Sequence, residues 1–118
     1  MPEYRNLELL NRGPVSRVRL LDCKPFGTEN YSELTNEWNS VTDGADCREL
    51  WVDCSNVQFL SSELLSRLIV LKRRLQQKNA RLVLSGLRAE TREVLSWTRL
   101  DRFFEIDAEE EQEAAVIS

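Results

Sequence analysis

Two adjacent hydroxyls stand where an apolar run gives way to a helical pattern, in Phe59-Leu60-Ser61-Ser62-Glu63-Leu64-Leu65. Two chemistries fit that position. A serine at a helix boundary can accept a hydrogen bond from a backbone N–H of the first turn and so cap the helix. A serine at an exposed helix start can also take a phosphate, because the free N–H groups and partial positive charge there tolerate an anion. One serine can do the first job while its neighbour does the second.

Other chemistry is thinly provided. The chain has no histidine, so the commonest general base and the commonest metal ligand are both missing. Cys23, Cys47 and Cys54 are odd in number and widely spaced, with no CxxC. They read as three reduced thiols of a cytosolic protein, without a zinc pattern or a base to activate a nucleophile. Gly13, Gly27, Gly44 and Gly86 are all isolated, so no phosphate-cradling loop is present. The expectation is a protein that is not an enzyme and carries no cofactor.

The elements that must position the serines follow from patterning. The 118 residues, 42% hydrophobic and 31% charged, suit one domain over residues 1–118. A net charge of −4 argues against non-specific nucleic-acid binding. The longest aliphatic run, Leu68-Ile69-Val70-Leu71, is too short for membrane insertion, and the charged N-terminus is not a signal peptide, so a cytoplasmic location is expected.

Residues 4–12 and the alternating 15–21 predict a hairpin turned at Arg12-Gly13-Pro14. Tyr31, Leu34, Trp38 and Val41 form one apolar stripe, predicting a helix that starts at Thr28 or Asn30. Residues 49–54 predict a short covered strand. Leu64, Leu65, Leu68, Ile69, Leu71 and Leu75 then predict a helix of four to five turns, stopped near Asn79. A strand at 81–84, a helix over 89–97 with Val94 and Leu95 buried, a strand at 103–106 and a terminal helix in 107–117 complete the order. The class is α/β, with a mixed sheet of about five strands and about four helices, in the order β-β-α-β-α-β-α-β-α.

Trp38 and Trp51 are expected in the core, and Trp97 is expected to pack on the sheet. Lys72-Arg73-Arg74 reads as a solvated face complementing a helix dipole, and Glu109, Glu110, Glu111 and Glu113 as a solvated helix start.

The ordered set from Glu49 to Ile106 resembles the STAS domain family, and more narrowly the bacterial anti-sigma-factor antagonists. The family pattern Val-x-Phe-Ile-Asp-Ser-(Ser or Ala)-Gly-Leu falls on Val57 to Leu65; Leu82-Val83-Leu84 and Leu100-Asp101-Arg102-Phe103-Phe104 follow in register. The resemblance implies an antagonist-type STAS fold and a protein-binding regulator. Such an antagonist binds an anti-sigma factor that is also a serine kinase, frees a sigma factor, and lets go once phosphorylated; a phosphatase resets it. The implied acceptor is Ser62, with Ser61 as second choice, and the implied partner surface includes Lys24, Pro25, Phe26, Thr28, Ser61, Ser62 and Glu63. The chain departs from the pattern where Ser61 replaces the Asp, Glu63 the small residue, Leu64 the Gly, and Arg99 a Gly near the end of the third helix. Those departures motivate an alternative, a non-phosphorylated STAS subunit or scaffold in a fixed complex such as a lipid-transport ABC system.

Overall fold

A computed structural model describes residues 4, 6–21, 28–43, 46–57 and 61–107, with side chains in the first helix from residue 32 onward. Strands β1 (Leu7–Asn11) and β2 (Val15–Leu20) form the hairpin; helix α1 (Thr28–Asp43) and β3 (Glu49–Asp53) follow. Helix α2 (Ser62–Gln77), β4 (Arg81–Ser85), α3 (Ala89–Trp97) and β5 (Glu105–Ile106) complete the order. The predicted terminal helix lies outside the described residues, which contain three helices.

The sheet is mixed and runs β1-β2-β3-β4-β5, antiparallel between β1 and β2 and parallel thereafter. Each β-α-β crossover steps one strand in the same direction. Right-handed crossovers taken repeatedly in one direction place every helix on the same face. The core agrees: Val18, Leu20, Leu50, Val52, Leu82 and Leu84 from the sheet meet Leu34, Trp38 and Val41 of α1, the Leu64-Leu68-Leu71-Leu75 stripe of α2, and Leu95 of α3.

Among the described residues no helix lies over the opposite face, and this overturns one expectation. Trp51 is half-buried there, beneath the Arg17 guanidinium at 4.5 Å from the ring centroid. Alternation along β3 places Leu50 and Val52 inward, so Trp51 must point the other way. Salt bridges cross this face from Arg19 to Glu8 and Asp53, and from Arg81 to Glu49 and Glu105. Trp97 also departs from expectation. It is 74% exposed at the end of α3, while Leu95 is buried and Val94 half-buried.

The expected strand over 103–106 is shorter than that: β5 holds only Glu105 and Ile106, and residues 103 and 104 precede it. Their N–H groups both bond to Leu100 O in the turn that leaves α3. That turn is a Schellman cap, with Arg99 N–H bonded to Ser96 O and Leu100 N–H to Leu95 O. Arg99 therefore sits at φ 62°, the left-handed position that favours glycine. The Gly-to-Arg departure keeps the cap and strains it. Helix α2 ends the same way at Asn79, φ 58°, the predicted stop.

Candidate functional site at the start of the second helix

The parallel strands β2, β3 and β4 end on one edge of the sheet, and the connections leaving that edge frame the two serines. Asp53 closes β3. Its Oδ1 accepts the Ser55 N–H at 2.9 Å and its Oδ2 accepts Arg19 Nε–H at 3.0 Å. Burial raises the Asp53 carboxyl, but the Ser55 amide and Arg19 outweigh it and hold the group below its usual value.

The loop after β3 is tied on two sides. Asn56 Nδ2–H donates to Leu20 O at the end of β2, and Arg88 Nε–H donates to Ser55 O from the loop after β4. Between them Gly86 takes φ +64°, and a Cβ there would lie 2.6 Å from Asp53 Oδ1. Only a glycine lets these two loops approach so closely. Cys54, directly after Asp53, is fully enclosed, and burial pushes its thiol up to about 12. It is inert rather than nucleophilic. Cys47 is likewise free and buried, while Cys23 lies outside the described residues.

On this frame the two serines divide the work. Ser61 is the N-cap of α2, with extended backbone (φ −71°, ψ 156°), and its Oγ accepts the Leu64 N–H at 3.1 Å. Ser62 is the first helical residue. It is exposed, and its hydroxyl has no hydrogen bond among the described residues. Glu63 lies in the first turn, where a negative charge suits the dipole, and it pairs with Arg67 one turn on, at 3.3 Å.

The structure thus brings Ser61, Ser62 and Glu63 together on one helix end. Lys24, Pro25 and Phe26 lie outside the described residues; Thr28 begins α1, but its side chain is not described. Sequence reasoning missed the frame of Asp53, Ser55, Asn56, Gly86 and Arg88. One signal for it was present, an acidic residue and a lone glycine each closing an apolar strand.

Comparison with known proteins gives this geometry a context. The family model described as "Mlab, STAS domain" matches residues 26–106. An anti-sigma-factor antagonist (STAS) domain protein from Planctomyces limnophilus is similar over 95% of this chain and 98% of its own, with TM-score 0.71 and 16% identity. RsbS from Moorella thermoacetica gives TM-score 0.69 at 16% identity, over 87% and 86% of the two chains. The anti-sigma factor antagonist SpoIIAA, in its unphosphorylated form, gives TM-score 0.64 at 16% identity over 93% of each chain. At these identities the structures speak for the fold. None of the curated proteins matches by sequence.

Proposed function

We propose that this chain, which belongs to the STAS domain family, acts as a protein-binding regulator of the anti-sigma-factor-antagonist kind, switched by phosphorylation of Ser62. The partner is an anti-sigma factor with serine-kinase activity, and a phosphatase reverses the mark. One observation carries the reading. The hydroxyl of Ser62 is exposed at a helix start, and the neighbouring Ser61 already satisfies the cap. Ser62 can therefore be modified without dismantling the helix.

The physics of the switch is direct. A phosphate adds about 1.5 to 2 negative charges at pH 7. It is tolerated beside free N–H groups, but in a closed protein interface it must be desolvated or repelled. A penalty of about 3 kcal/mol there weakens binding by roughly two orders of magnitude. The contact surface on this reading is the edge carrying Ser61, Ser62 and Glu63, together with Lys24, Pro25 and Phe26 before α1 and Thr28 at its start. The protein is taken as one domain over residues 1–118 that acts in the cytoplasm without enzymatic activity, cofactor, nucleic acid or membrane insertion. Among the described residues no helix is long and apolar enough to cross a membrane.

The test is incubation with a cognate anti-sigma serine kinase and ATP, followed by mass-spectrometric site mapping. A phosphate on Ser62 supports the reading, and an unmodified Ser62 under conditions where the kinase is active overturns it.

A second reading, a fixed STAS subunit in a transport ATPase complex without phosphorylation, draws on Glu63. Its carboxylate already places a negative charge beside Ser62 and is held there by Arg67. Copurification of a stoichiometric membrane-transport ATPase, unaffected by Ser62→Ala, would favour this reading over the switch.

A further inference from the structure

A groove of about 300 Å³ lies between α1 and α2. Trp38 and Asn39 line it from α1. From α2 comes a row of side chains, Arg67, Val70, Arg74 and Gln77, with Arg73 alongside. Steps of three, four and three residues keep such a row in line along one side of a helix. At a rise of about 1.5 Å per residue the row runs about 15 Å, and Arg67 and Arg74 stand two turns, or about 10.5 Å, apart.

Charge in the groove has one sign. The lining contains no carboxylate. Glu63 and Asp43 pair with Arg67 and Arg74 from beyond the lining, and Lys78 stands 3.8 Å from Asp43. Arg73 has no ion-pair partner among the described residues. Four cations therefore meet two carboxylates, on a chain whose net charge is −4. Glu33 and Glu37 of α1 do not redress the balance; both accept hydrogen bonds from Asn6 beside β1. The Nε atoms of Arg67 and Arg74 are enclosed without a hydrogen bond, so the stems are packed and the guanidinium ends are left to pair. Between these two arginines Val70 is 59% exposed.

Two demands follow for an occupant, anionic groups two helical turns apart and an apolar group between them. A small anion leaves Val70 in water. A second copy of α2 packed symmetrically on this one sets arginines against arginines. A helix with a carboxylate every second turn meets both demands, because seven residues of the visitor span the same distance as seven of α2. We propose that the α1–α2 groove receives an acidic amphipathic helix of a partner protein. Its carboxylates, seven residues apart, pair with Arg67 and Arg74, and a small aliphatic side chain between them covers Val70. Nothing in this contact requires a phosphate on Ser62.

The other open surface suits such a helix poorly. On the uncovered sheet face Glu8, Glu49, Asp53 and Glu105 outnumber Arg17, Arg19 and Arg81, and all but Arg17 are paired across strands. An acidic helix is repelled there and attracted to the groove.

The test titrates the full isotope-labelled chain with a synthetic helical peptide of alanine and glutamate, its glutamates seven residues apart with a valine between them. A second peptide of equal composition and helicity carries its glutamates off that row. The expected result is saturable movement of amide signals at residues 35–39 and 67–77, with Kd at least fivefold weaker for the second peptide. Arg73→Glu and Val70→Glu, both at exposed positions, should each weaken the matched peptide at least fivefold while circular dichroism of the protein stays unchanged. The proposal is overturned by no saturable movement with the matched peptide, by equal affinity for the two peptides, or by movement centred on Leu10, Val15 and Arg17. Inorganic phosphate moving the same amides with equal affinity also overturns it, in favour of a simple anion site. Concentration-dependent movement of those amides without peptide does so in favour of a second copy of the chain.

Discussion

Replacing each serine by alanine separates cap from acceptor. In Ser61→Ala the Leu64 N–H loses the side-chain acceptor it now has at 3.1 Å. Losing a serine N-cap costs about 1 kcal/mol, within a range of roughly 0.5–2. For a chain of 118 residues the unfolding entropy near the melting temperature is about 0.25 kcal/mol/K, so the melting temperature should fall by about 4 °C. In Ser62→Ala no hydrogen bond among the described residues is lost, and alanine is the better helix former. Its stability should stay within about 0.5 kcal/mol of the parent. Urea denaturation followed by circular dichroism at pH 7 resolves the difference as a shift in midpoint at constant slope. Equal losses in the two variants, or a larger loss in Ser62→Ala, would refute the assignment of roles. It would also remove the argument that Ser62 is free to be modified.

Three further outcomes follow from the geometry. Arg99→Gly should raise stability by about 0.5–1 kcal/mol, because the left-handed conformation costs a non-glycine residue about 1–2 kcal/mol and glycine's greater unfolded freedom offsets only part of that; an unchanged or lower urea midpoint contradicts it. Gly86→Ala should destabilise by about 2 kcal/mol or more, since its φ of +64° and the 2.6 Å approach of Asp53 Oδ1 act together; thermal melts decide it. Asp53 has its carboxyl held below the usual range, so its ionised form contributes stability above the unfolded-state value near pH 4, and that contribution fades as pH falls through the lower folded value. The deficit of Asp53→Asn should therefore be clear at pH 7 and absent near pH 2; a deficit independent of pH would show that the ion pair with Arg19 is not its origin.

Much of the fold was legible because periodicity is a local property. The Leu64-Leu68-Leu71-Leu75 stripe and the bounds Ala89–Trp97 needed only the 3.6-residue repeat and its interruptions. The serine pair stood out for the same reason, as a polar step between apolar runs. What could not be read was which serine caps. Ser61 and Ser62 both suit an N-cap by type, and the choice rests on one residue of offset between loop and helix. The frame around them was equally hidden. Asp53, Gly86 and Arg88 are distant in sequence and meet only because β3 and β4 are parallel neighbours that end on the same edge.

By itself the sequence determined the order of elements, the apolar stripes, the lack of histidine chemistry and the place where a hydroxyl meets a helix start. Tertiary structure decided which side of each strand is covered. Alternation assigns Leu50 and Trp51 to opposite faces but does not say which face the helices take. That depends on successive crossovers sharing one hand and one direction, a long-range property of the assembled sheet. The same packing leaves Trp51 under Arg17 and opens a basic groove between two helices, neither of which any local pattern encodes.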